Sequence, residues 1–308
     1  MSFFRDFLFI LNVFISAQQL PEDKILSSDP GIRRQAIVEM TSKRDPKYID
    51  YIEKYIDDEN KIVKLAAIEA AGIYRSTKTV DKIISILSKT TDNDIKNSCL
   101  IALSYMPNIE KRDIIKDIAL KDKDDNIKSQ AIRILANLND YSIENDMLKV
   151  AEDKKQNPSL RSSAISYLSK IKSEKAKNII FKALKDENKQ VRIEAIRACG
   201  DMQIKESIET LRIISGENDS DIQLEASFSL AKLGDAFPLK YMYSYLDNNN
   251  PFYKNMALNI IGIIGDEESI KILDEKIKLE KDPNIKSFME FTREIIKGKL
   301  KIKNQNKS

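Results

Sequence analysis

With no histidine among its 308 residues, this chain's candidates for chemistry are carboxylates, lysines, arginines, hydroxyls and two thiols. That removes histidine-dependent nucleophile triads, imidazole metal sites and the commonest general base. Acidic runs stand at Asp57-Asp58-Glu59, at Asp122-Lys123-Asp124-Asp125 and from Glu217 to Asp221. The second opens like a calcium loop. Such a loop needs Gly at its sixth position and an acidic twelfth ligand, and here those places hold Ile127 and Arg133. There is no Gly-rich phosphate loop. We therefore expect no catalytic, cofactor-binding or metal-binding residues and no cofactor.

The acidic runs gain a different meaning from a phrase that returns nine times: Asp or Asn, two residues, a large apolar anchor, usually Lys or Arg, two more, then a small apolar residue. The anchors are Ile32, Val63, Ile95, Ile127, Leu160, Val191, Ile222, Tyr253 and Ile285, spaced 31 to 33 residues apart. A fixed period of this length denotes an array of supersecondary units, each too small to bury its own apolar face. Three residues before each anchor stand Asp29, Asn60, Asp92, Asp124, Asn157, Asn188, Asp219, Asn250 and Asp282. Their short side chains accept from unpaired N–H groups of a first helical turn. Pro30, Pro158, Pro251 and Pro283 follow directly, where a missing N–H costs nothing.

Past the anchors come Ala36, Ala67, Cys99, Ala131, Ala164, Ala195, Ala226, Ala257 and Met289, then a further pair of apolar positions. Together these form one helical stripe with a small residue at its centre, where a neighbouring helix can come close. A second amphipathic run follows in each repeat, clearest at Tyr48–Ile56, Val80–Leu87, Ala176–Leu184, Ile208–Ile214 and Ile270–Ile277. About 32 residues accommodate two short helices and two tight turns. No stretch alternates with period two, so no sheet is predicted. In the ninth repeat Glu290 and Arg293 fall on the apolar stripe, as suits a terminal cap with a solvated face.

The phrase, nearly whole in Asn188–Ala195, resembles HEAT repeats, in particular the short HEAT-like repeats of the phycobilisome-lyase type. The resemblance spans roughly residues 27–299. It implies an all-α, right-handed α-solenoid of about eight helix-pair repeats plus a partial C-terminal capping repeat. Tetratricopeptide repeats are excluded by the absence of their Trp, Gly-Tyr and late-Pro signature, and armadillo repeats are longer. The basic residue after each anchor (Arg33, Lys64, Lys96, Lys128, Arg161, Arg192, Lys254 and Lys286, with Gln223 the exception) is expected to form an inter-repeat ladder with the recurrent Asp and Asn side chains. A ridge tracking a nucleic-acid backbone is the alternative. Because acidic residues accompany it throughout and the net charge is only +3, the ladder is favoured and nucleic acid is not the expected partner.

Residues 1–17 lie outside the repeat. Arg5 precedes an apolar run from Phe7 to Ile15, closed by Ser16-Ala17, which reads as a signal peptide cleaved after Ala17 and places the protein in a bacterial periplasm or otherwise exported. Residues 18–299 are assigned to one continuous repeat solenoid and residues 300–308 to a basic, disordered tail. Cys99 and Cys199, three repeats apart on packed stripes, are expected to be core residues without a disulfide.

The seventh repeat departs from the rest in its aromatic stretch from Phe237 to Tyr253. The resemblance implies that second helices line the concave face, so Phe181 and Tyr243, with Lys240 and Ser244 beside them, are the candidate partner-binding residues. The expected function is a noncatalytic scaffold or adaptor that binds protein or peptide partners along an extended surface. The alternative is a cytoplasmic nucleic-acid-binding protein of the same architecture, a class that extends to a DNA base-excision enzyme. The absence of Trp and of any matching base-handling motif weighs against it.

Overall fold

A computed structural model describes residues 20–106 and 109–305. Among these residues the secondary structure is helical throughout and no strand occurs. The signal peptide expected at residues 1–17 lies outside the described residues.

All nine helix starts fall where the phrase places them. In the first helices of successive repeats, α2 (Pro30–Lys43), α4 (Lys61–Ile73), α6 (Asn93–Ser104), α8 (Asp125–Asn137), α10 (Pro158–Lys170), α12 (Lys189–Asp201), α14 (Ser220–Lys232), α16 (Pro251–Ile264) and α18 (Pro283–Gln305), the preceding Asp or Asn side chain accepts from a backbone N–H of the first turn. The second helices are α3 (Ile49–Tyr55), α5 (Val80–Lys89), α7 (Asp113–Lys121), α9 (Glu144–Glu152), α11 (Lys177–Ala183), α13 (Ile208–Ile214), α15 (Leu239–Tyr245) and α17 (Glu267–Leu279). A four-residue helix α1, Pro21–Lys24, precedes them and packs on α2.

The chain divides into two compact units, Met1–Ile143 and Glu144–Ser308. Within each unit the first helices stack side by side, and each second helix packs against the first helix that follows it. The small residues of the phrase sit at the centre of this stacking. Every one from Ala36 to Ala257 is fully buried. Two glycines at equivalent places bring backbones closer still. A Cβ on Gly72 would lie 2.7 Å from Ala102 Cα, and one on Gly200 would lie 2.9 Å from Ser229 Cα.

At the C-terminus α18 continues to Gln305, so residues 300–305 are helical and do not belong to a disordered tail. Lys299 Nζ donates to the carbonyls of Gly262 and Ile263 at 2.6 and 3.1 Å, which fixes α18 against the end of α16. The alternating Lys and apolar residues here read as a solvated tail in sequence, but hydrogen bonding and the preceding helix carry them onward.

Candidate functional site

Five of the eight recurrent basic residues form a ladder, with different partners from those expected, while Lys128 pairs with Asp125 in its own first turn at 3.2 Å. Arg33 Nε reaches Asp58 Oδ2 at 3.0 Å, Lys96 Nζ reaches Asp122 Oδ2 at 2.6 Å and Arg161 Nη2 reaches Asp186 Oδ2 at 2.5 Å. Arg192 pairs with Glu217 at 2.6 Å and Lys254 with Glu280 at 2.5 Å. Each carboxylate stands two residues before the next cap. Asp58, Asp122, Asp186 and Glu280 also accept the cap residue's own N–H. The ladder therefore ties a repeat's first helix to the end of its own second helix. The cap side chains are occupied by their own helix termini. Contacts to the next repeat's cap come at three places from the residue after a cap instead: Lys61 to Asp92 at 2.7 Å, Asn93 to Asp124 at 3.1 Å and Lys189 to Asp219 at 2.8 Å.

Gln223, the exception, forms a neutral version of the same link. Its Nε2 donates to the Ser215 carbonyl at 2.9 Å, and its Oε1 accepts from the Tyr245 hydroxyl at 2.7 Å. The aromatic character of the seventh repeat is thus partly a replacement for an ion pair.

The ladder also sets the electrostatics. Burial raises the Asp58, Asp122 and Asp186 carboxyls, but hydrogen bonds from Arg33, Lys96 and Arg161 and from the cap amides outweigh it and hold all three below their ordinary values. Burial pushes the Cys99 and Cys199 thiols up to about 12, away from the thiolate character that a nucleophile needs. Both cysteines are free.

The sequence-predicted partner residues do not converge on one surface feature. Phe181 is half-buried on α11. Tyr243 is half-buried on α15, and its hydroxyl is hydrogen-bonded to Ser269 Oγ at 2.8 Å. Ser269 in turn belongs to the capping box that starts α17, so Tyr243 is a link between helices. Burial raises its pKa, and the Ser269 hydrogen bond only partly offsets this. Lys240 is exposed, with Nζ 4.1 Å from the Phe237 ring centroid and 4.7 Å from that of Tyr241. Ser244 donates to the Tyr241 carbonyl at 2.7 Å.

A more open apolar surface lies on the first helices, between α2 and α4. Arg34, Ile37, Val38, Thr41 and Ser42 of α2, with Arg44 beyond its end, face Ile62, Leu65, Ala66, Glu69, Ala70 and Ile73 of α4 across a groove of about 580 Å³. Ala66 and Ala70 leave depth between the helices. Val38, Ile62 and Ile73 are 49%, 46% and 50% exposed, which is unusual for a clustered set of branched aliphatic side chains. The cations at the groove, Arg34 and Arg44, form no ion pair with a described residue.

This surface has a sequence signature. The positions one before, six after and ten after the anchor hold Ile62, Val38 and Ile73 here. In repeats four to six they hold Asn126 and Gln190, then Arg133, Ser166 and Arg197, then Asn137, Lys170 and Asp201. The same offsets turn apolar again in the second unit at Phe252, Ile263 and Phe291, all exposed.

A model of HEAT repeats matches residues 23–104, 113–186 and 154–225. No curated protein sequence matches significantly. Among solved structures, Escherichia coli YibA is similar in fold, with a TM-score of 0.51 and 17% identity over 83% of this chain and 94% of that one. Human deoxyhypusine hydroxylase, solved with glycerol, has a TM-score of 0.35 and 14% identity over 82% of this chain and 98% of that one. The complex of CpcE and CpcF of phycocyanin lyase from Nostoc has a TM-score of 0.40 and 18% identity over 85% and 96%. The repeat matches span well over half of the sequence, and the chain belongs to the HEAT-repeat family.

Proposed function

We propose that this chain is a noncatalytic scaffold or adaptor that binds protein or peptide partners, working in a bacterial cell envelope after export. One observation carries the reading. The recurrent charges are largely satisfied inside the fold by the ladder, while branched aliphatic side chains stay exposed along the α2–α4 groove. A surface that leaves branched aliphatic area in water suits contact with another polypeptide. Among the described residues no helix is long and apolar enough to cross a membrane.

Two measurements test this function. Intact mass after expression in a secreting host is expected to show loss of residues 1–17, and an unprocessed cytoplasmic product removes the export part. Affinity capture with the processed protein is expected to return a stoichiometric protein partner. Salt-dependent binding to DNA with no protein partner favours the nucleic-acid alternative.

A further inference from the structure

We propose that the groove between α2 and α4 receives one amphipathic helix of a partner protein, with acidic residues at both ends of its apolar stripe. The inference rests on the adaptor reading and names the class of partner.

The groove dictates the shape of its occupant. Ile62, Leu65 and Ile73 follow one face of α4, and the eleven residue steps from Ile62 to Ile73 advance about 16 Å along a helix. Val38 faces them from α2. A helix of three to four turns presenting apolar residues at i, i+4, i+7 and i+11 covers that length, the helix-in-groove mode of recognition.

Charge selects among such helices. Arg34 and Arg44 are ten residues apart on and just past α2, about 15 Å along its axis. Both guanidiniums are without an ion-pair partner among the described residues, whereas the arginines of the ladder are paired. Two cations at that spacing, beside a mainly apolar strip in which Glu69 is the one carboxylate among the lining residues, complement carboxylates ten to eleven residues apart on one face of the incoming helix. A basic helix meets like charge at both ends and is rejected.

The test uses the full chain and two synthetic helices of roughly 18 residues sharing one leucine stripe. One carries glutamates at the two flanking positions and the other lysines. Fluorescence anisotropy is expected to show the acidic helix binding at least about tenfold more tightly, a preference that shrinks as salt rises. Arg34→Glu with Arg44→Glu is expected to reverse the preference, and Ile62→Glu, or independently Val38→Glu, to abolish binding of both peptides. Unchanged unfolding midpoints show that these exposed substitutions leave the fold intact. Equal binding of the two helices, or insensitivity to the arginine reversal, overturns the proposal. So does a dimer in sedimentation that Ile62→Glu dissociates, or preferential binding of a peptide of residues 1–19, since each assigns the groove another occupant. Partner capture separates the two levels: a partner retained by Ile62→Glu defeats the groove and leaves the adaptor reading standing, and no partner with the unsubstituted chain defeats the adaptor reading itself.

Discussion

Arg161 and Asp186 are both buried and meet through two nitrogens, Nη1 at 3.3 Å from Oδ1 and Nη2 at 2.5 Å from Oδ2. Asp186 also accepts the Asn188 N–H at 3.0 Å, so one carboxylate holds the start of α10, the end of α11 and the turn into α12. Removing one partner leaves an uncompensated buried charge, and Asp186→Ala is expected to cost about 3 kcal/mol. The double change Arg161→Met, Asp186→Leu is expected to recover most of that loss. Urea unfolding of the three proteins checks it; a double variant as unstable as Asp186→Ala contradicts the account.

The ladder predicts an asymmetric pH profile. Asp58, Asp122, Asp186 and Glu280 have carboxyls held below their ordinary values. A group with a depressed folded pKa contributes stability that is fully present above its unfolded pKa and lost as pH falls through the folded one. With unfolded values of about 4, thermal stability should be nearly level from roughly pH 8 to pH 5.5 and fall steeply below about pH 4. The absence of histidine sharpens this, because no imidazole titrates in the level region. A transition in melting temperature near pH 6.5 in circular dichroism contradicts it.

Close approach of the first helices makes Gly72 and Gly200 intolerant of volume. Gly72→Val is expected to destabilise by about 1 to 3 kcal/mol through displacement of the α6 backbone at Ala102. Gly298, with no heavy atom within 4 Å of an added Cβ, is the control; Gly298→Ala should leave stability unchanged or raise it slightly. Equal effects at the two positions contradict the packing.

Cys99 and Cys199 should be silent in the folded protein. With both thiols buried and raised to about 12, a thiol reagent at pH 8 is expected to react with neither until denaturant is added, and then with both. Rapid modification of the native protein contradicts their placement.

Much of the fold was legible because each repeat states it independently. Asp or Asn caps, the following Pro and the small central residue depend on a single helical turn, and all nine starts agree with the structure. The ladder was only half legible. Arg33 or Lys96 is visible by register, but its partner lies 25 or 26 residues away at the end of a second helix, and Asp58 and Asp122 were read with the acidic runs that cap helices. The candidate surface was least legible. Phe181 and Tyr243 draw attention as aromatic residues at matching places on second helices, whereas Tyr243 spends its hydroxyl on Ser269. Val38, Ile62 and Ile73 look like ordinary core residues until their register is compared with the polar residues that repeats four to six place there.

Photo-crosslinking tests the central claim most directly. A photoreactive residue is placed at Val38, in the first-helix groove, and in separate proteins at Phe181 or Tyr243, on the second helices. The partner is expected to form a covalent adduct from position 38, with loss of the adduct when Ile62→Glu is added, and none from positions 181 or 243. An adduct from position 181 or 243 with none from position 38 would place binding on the second helices and contradict the account.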